Sequence, residues 1–226
     1  MLLSVSTLAG NPQQNLLLAD SLFLQKKYTQ AFQSYQALEQ QGLRSPAMLL
    51  RMAFIQEGLG QTAQSLLYLN RYLALSGDRH VVEKIRDVAT KKNLSGYDFT
   101  TTEQARLWLS HHLVPLAASG SALLILLVIA VSRTRPRQPL RWLLLAATMV
   151  TALVVGVALI EAEPVSFGIS RNPVYLMEGP SAGAPVVARI GAGHRLPVSG
   201  GVDVWQKTTW QGRTAFVRRS NIDLIY

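Results

Sequence analysis

The sequence predicts a multidomain membrane protein: α-helical hairpins, then two transmembrane helices, then a small all-β barrel. Three observations carry this. Apolar residues recur at helical spacing from residue 13 to 92. Two runs without a charged residue follow, at 113–132 and 142–160. After Pro164, short alternating runs are broken by glycine, proline and serine.

The helical part, 13–93, divides at its own punctuation. In NLLLADSLFLQKKYTQAFQSYQALEQQG the pattern breaks near Lys26–Lys27 and stops at Gly42. RSPAMLLRMAFIQEGLG opens with Ser45 as N-cap and Pro46 in the first helical position, then ends at Gly58 and Gly60. QTAQSLLYLNRYLALSG is a fourth helix closed by Gly77. DRHVVEKIRDVATKKN is a fifth, with Asp78 as N-cap and Lys91 and Lys92 at its negative end. Tyr28, Ala31, Tyr35 and Leu38 have the spacing of the second helix of a tetratricopeptide repeat (TPR), with Ala19 small where the first helix needs it. Ala31 and Ala63 stand 32 residues apart, near the 34-residue period. Leu67 replaces an aromatic and Arg51 a small residue in the second copy. The segment resembles a TPR domain of about two repeats plus a capping helix; an unrelated helical bundle is the alternative. The resemblance implies a partner-binding face on the first helix of each pair, here Leu16, Asp20, Phe23, Met48, Met52 and Ile55, with core residues as the other reading.

The two uncharged runs each approach the ~20 apolar residues that span a hydrocarbon core, with Pro115 tolerated near the start of the first. Net charge is +9 overall. The densest part is the loop 133–141, where Arg133, Arg135, Arg137 and Arg141 stand without an acid. Short basic loops stay cytoplasmic. This places the loop inside and both termini outside, which describes a multi-pass protein of a bacterial inner membrane with periplasmic N- and C-terminal domains. Inverted topology is the alternative. Residues 1–12 lack lysine and arginine and read as a possible remnant of a signal peptide. The linker 94–112 carries a Thr100…Glu103 capping box. Trp108 and the pair His111–His112 follow it at the expected interface.

Residues 165–226 hold alternating runs (VVARI, RLPV, VWQKTTW, TAFV) that predict five or so strands. The order of signals resembles a bacterial SH3 (SH3b) domain. A Gly179-Pro180-Ser181 turn comes first, then Ile190, Gly193, Leu196 and Val198. Gly200-Gly201, Trp205 and Lys207 follow, then Gly212, Phe216, Val217 and a terminal IDLIY. Two places depart from the family pattern: Met177-Glu178 before the Gly-Pro, and Ala215-Phe216-Val217 where Gly-Trp-Val is usual. The resemblance implies binding of wall peptides or partner proteins in a groove made by Tyr175, Trp205, Trp210 and Phe216. Trp205 is read as core and Trp210 as exposed.

The chain has no cysteine, which removes disulfides and thiolate chemistry. Its four histidines lack a metal spacing, and no phosphate loop or dinucleotide fingerprint occurs. No cofactor, no metal and no enzymatic activity is expected. Positive charge concentrated in a loop argues against nucleic acid. The full order of elements resembles the BatE family of the bacterial aerotolerance (Bat) system. That resemblance implies a membrane-anchored adaptor acting with von Willebrand factor A domain membrane proteins and a MoxR-type ATPase. A peptidoglycan-binding sensor and an accessory subunit of a membrane enzyme or transporter are the alternatives.

Overall fold

The computed structural model describes residues 11–99, 119–131, 133, 142, 145–152 and 166–225. Five helices come first: α1 (Pro12–Leu24), α2 (Tyr28–Gln40), α3 (Pro46–Gly58), α4 (Thr62–Ser76) and α5 (His80–Lys91). Local chemistry sets their ends. The Asn11 side chain accepts from the Gln13 N–H, and Ser45 Oγ accepts from the Met48 N–H at 3.2 Å. Each cap precedes a proline whose missing N–H needs no partner. Gly77 adopts the left-handed conformation that ends α4. Asp78 caps one residue early: its Oδ1 accepts from the His80 N–H, while its Oδ2 accepts from the Tyr72 hydroxyl.

Small residues let the first hairpin close. Ala19 and Ala31 are completely buried, and Tyr35 and Leu38 fill the space beside them. Leu49, Met52, Leu66 and Leu73 do the same for α3 and α4. On α5, Val81, Val82, Ile85 and Ala89 are buried while Glu83, Lys84, Arg86 and Asp87 face outward.

Seven strands follow: β1 (Ser166–Ser170), β2 (Val174–Met177), β3 (Val186–Ile190), β4 (Arg195–Val202), β5 (Trp205–Trp210), β6 (Arg213–Arg218) and β7 (Ile222–Ile225). They form one antiparallel sheet in the order β3-β2-β6-β5-β4-β1-β7. Ile190 from one edge and Ile222 from the other share a buried cluster with Leu176, Leu196, Ala215 and Val217. The sheet therefore curls onto its own core. Seven strands exceed the expected five or so, because SFGIS (β1) pairs with both β4 and β7.

The helices α1–α5 and the sheet pack as one compact unit. A strap, Ser95–Tyr97, makes the joint. The Arg195 N–H donates to the Ser95 carbonyl at 3.0 Å, and the Ser95 N–H donates to His194 Nδ1 at 3.1 Å. The Arg195 guanidinium donates to the Gly96 carbonyl at 3.2 Å, and the buried Tyr97 hydroxyl donates to the Gly193 carbonyl at 2.7 Å. From α4, Arg71 donates to the Leu224 carbonyl and Gln64 to Asp223.

The two-span membrane fold is corrected. Among the described residues no helix is long and apolar enough to cross a membrane. Residues 119–131 and 145–152 are helical. The rest of 113–132 and 142–160 lies outside the described residues. Absence of charge shows that a run is compatible with lipid; it does not fix how far a helix continues through it. The membrane as partner and the inner-membrane localisation with periplasmic domains rested on those spans and fall with them. Arg133 is helical and exposed; of residues 1–12, read as a signal-peptide remnant, Asn11 and Pro12 cap and begin α1, while residues 1–10, Arg135, Arg137, Arg141, Thr100, Glu103, Trp108, His111 and His112 lie outside the described residues.

The strap has a sharp test in Gly96, whose φ is +89° and where an added Cβ would sit 1.9 Å from the Arg195 carbonyl oxygen. Gly96→Ala is expected to cost roughly 3 kcal/mol in urea unfolding of the full chain. Gly60→Ala, at φ +72° with nothing within 4 Å, should lose only about 1 kcal/mol, for backbone strain alone.

Candidate functional site

The β5–β6 hairpin turns through Gln211–Gly212, both at positive φ (48° and 78°), the conformation that matches strand twist in a two-residue loop. The register is thereby fixed: Trp210 faces Arg213, Thr208 faces Ala215, Lys207 faces Phe216 and Trp205 faces Arg218. Thr208, Ala215 and Val217 point into the core. Trp205, Lys207, Phe216 and Arg218 share the opposite face by strand alternation. Beside them β2 contributes Met177, which pairs with Phe216.

This face holds a cleft of about 340 Å³ lined by Tyr175, Met177, Ala182, Val186, Trp205, Arg218 and Asn221. Trp205 is 8% exposed and forms part of its wall, while Tyr175 is 54% exposed. Two guanidinium groups stack on the aromatics: Arg218 lies 5.5 Å from the Trp205 ring centre and Arg189 lies 5.7 Å from that of Tyr175. The lining contains no carboxylate. Apolar walls with cations at the rim suit an extended chain that carries an acid.

Of the four expected groove residues, the cleft brings together Tyr175 and Trp205. Phe216 shares the face but lies outside the lining. Trp205 is buried in the cleft wall, and Trp210 is half-buried, packing against the barrel core and meeting His194 edge-on at 5.5 Å. The helical face is not assembled as an open surface. Met48, Met52 and Ile55 are buried core, and Leu16 is half-buried. Asp20 is held by the Tyr35 hydroxyl at 2.6 Å and by Arg51; burial and that hydrogen bond push the Tyr35 phenol upward. Phe23 belongs to an edge-to-face triad with Tyr28 and Phe54.

Met177, Ala182, Val186, Arg218 and Asn221 also line the cleft and are not among the residues the sequence singled out. For Arg218 the signal was present: counting outward from a two-residue Gln-Gly turn pairs it with Trp205. Among the described residues, no group of three or more His, Asp or Glu is placed to hold a metal ion. No protein-family model, curated protein or solved structure matches the chain.

His194 joins this region to the strap. Its Nδ1 accepts the Ser95 N–H, so the proton of the neutral ring is on Nε2. Burial holds its pKa below the ordinary histidine value. The unfolded chain therefore binds the proton more tightly than the folded one. Stability is complete above the unfolded value of about 6.5 and is lost as pH falls through it toward the lower folded value. Unfolding free energies measured from pH 8 to 5 should show this loss, and His194→Asn should flatten it.

Proposed function

We propose that the chain is a non-enzymatic binding module, an adaptor whose SH3b-like cleft seats an extended acidic segment of a partner protein. The observation that carries this reading is the pairing of Arg218 with Trp205 across β5 and β6 at one wall of an otherwise apolar cleft. A guanidinium held by a ring keeps its in-plane donors free for a carboxylate while its flat face stays packed. Arg189 on Tyr175 repeats the arrangement. A bidentate carboxylate at such a site gains a charge-assisted hydrogen bond, roughly twice as strong as a neutral one. The apolar walls contribute area that does not depend on sequence in detail.

The chain's net charge of +9 favours encounter with an acidic partner and makes the association rate salt-dependent. The ionisable groups lining the cleft are Arg218 and the Tyr175 phenol, with no carboxylate or histidine beside them, which supports recognition rather than nucleophile–base chemistry.

The test is titration of the full chain with a blocked peptide containing Asp and Leu, and with the same peptide carrying Asn for Asp, followed by tryptophan fluorescence. The acidic peptide should bind about tenfold more tightly. Arg218→Gln should erase that difference while leaving the melting curve close to that of the parent, because Arg218 is exposed on the sheet face. Equal affinity for the two peptides, or an undiminished preference in Arg218→Gln, refutes the reading. Binding of a muropeptide only when its sugars are attached would assign the cleft to the cell wall instead.

A further inference from the structure

A second cleft, of about 410 Å³, lies where α2, α3 and α4 meet β7 and the turn after β1. Two helical stripes form its walls. Phe32, Gln36 and Gln40 repeat every fourth residue along α2, and Gln64, Tyr68 and Arg71 follow one face of α4. From α3 comes Gln56, a polar side chain only 6% exposed. The sheet adds Arg171 and Asp223.

The charges here are engaged in pairs. Arg71 binds Glu39 at 2.7 Å, and Arg171 binds Asp223 at 2.5 Å. The four cancel, so the cleft offers little to an ion of either sign. Its amides are differently placed. Gln64 donates to Asp223. Among the described residues, no hydrogen bond within the chain engages the side-chain amides of Gln36, Gln40 or Gln56, and the buried Arg71 Nε–H has no acceptor. Buried polar groups in a folded chain are nearly always matched, which singles out the Arg71 Nε–H and the largely buried Gln56; Gln36 and Gln40 are exposed and add two solvated amides along one wall. A cleft that presents these groups beside balanced charges is suited to a neutral ligand rich in both donors and acceptors.

The spacing narrows the ligand further. A primary amide accepts from a peptide N–H and donates to a peptide carbonyl. Gln36 and Gln40, one helical turn apart, are separated along the axis by about 6 Å. Alternate residues of an extended chain are separated by about 6.6 Å. The stripe from residue 32 to 40 runs about 12 Å, long enough for about four extended residues. A sugar ring would need an open aromatic face. Tyr68 is 3% exposed and meets Phe32 edge-to-face at 5.8 Å, so the pair makes no flat platform.

We propose that this cleft binds the main chain of an extended, uncharged segment of a partner protein through Gln36, Gln40 and Gln56, largely independent of that segment's side chains. The site needs the helices and the sheet together, and it is separate from the Trp205 cleft.

The experiment titrates the isotope-labelled full chain with the blocked hexapeptide acetyl-(Ser-Ala)3-amide, and with the same peptide N-methylated at alternate residues. Side-chain amide resonances of the glutamines are followed by NMR. The parent peptide should bind in the low-millimolar range and shift the Gln36, Gln40 and Gln56 signals. N-methylation, which removes main-chain donors and keeps the side chains, should weaken binding at least about tenfold. The double variant Gln36→Leu/Gln40→Leu, at two exposed positions, should weaken it similarly, whereas Arg218→Gln should leave it unchanged. Three results would overturn the proposal: silence at these glutamines, equal binding of the N-methylated peptide, or shifts caused by an N-acetylglucosamine tetramer and not by the peptide. Loss of binding in Arg218→Gln would also overturn it, by placing the peptide in the other cleft.

Discussion

The strap Ser95–Tyr97 holds the helices to the sheet, and both clefts depend on the sheet staying where it is. Four hydrogen bonds tie three residues to Gly193, His194 and Arg195. Each is worth about 1 kcal/mol net, and burial of Tyr97, 3% exposed, adds the apolar area of a large ring. The chain approaches so closely at Gly96 that no side chain fits there. Gly193 is constrained chiefly by its own backbone, with φ +92°; the nearest neighbour of an added Cβ would be the end of the Leu94 side chain at 3.0 Å. The close backbone approach at Gly96 and the left-handed turn at Gly193 together fix the geometry of the joint.

Arg195 shows what the joint costs and what offsets it. The residue is 5% exposed, and a guanidinium at that depth needs partners. It donates to the Gly96 carbonyl, and its charge lies 3.6 Å from the centre of the Phe167 ring. A ring face and a carbonyl replace water around the cation without introducing a second buried charge. Phe167 belongs to β1, the strand that also pairs with β4 and β7. The cation therefore ties the strap to β4 and β1 together, beside the edge strand β7.

Features encoded locally were legible in the sequence. The Ser45 side chain, the proline after it and Gly77 mark helix ends by their own hydrogen-bonding and torsional chemistry; Asn11 and Pro12 do the same for α1, but the reading of residues 1–12 as a leader remnant passes over them. Gln211–Gly212 marks a hairpin and, by counting, a register. Features set by distant contacts were not legible. Leu94-Ser95-Gly96-Tyr97 reads only as the start of the linker 94–112, and only Arg195, 99 residues on from Gly96, makes it a joint. SFGIS is short and has a glycine at its centre, so its strand character comes from two neighbours rather than from alternation. Periodicity showed that Met48, Met52 and Ile55 share an apolar face, but it cannot say whether another helix covers that face, and one does. Hydropathy marked two uncharged runs and supplied no length for a helix within them. The glutamines of α2 looked like an ordinary solvated face, because nothing in a helix's own sequence reports that a sheet stands opposite.

Joining the helices to the sheet also changes how two weak sites combine. Modules on a flexible tether gain from an effective concentration set by linker length. Here the linker is replaced by a fixed wall. Asn221 lines the Trp205 cleft and Asp223 lines the glutamine cleft, two residues apart across the buried Ile222. Arg171 pins that wall twice: its backbone N–H donates to the Asn221 carbonyl at 2.9 Å and its guanidinium grips Asp223. Energetic coupling between sites requires an element with two arrangements that both ligands bias. A strand start anchored to the core on one side and to Arg171 on the other offers a single arrangement. On the two proposed readings, the clefts would act additively, each with its own affinity. A partner that spans both gains from their fixed separation, since the ordering cost of a second contact has been met by the fold before binding begins.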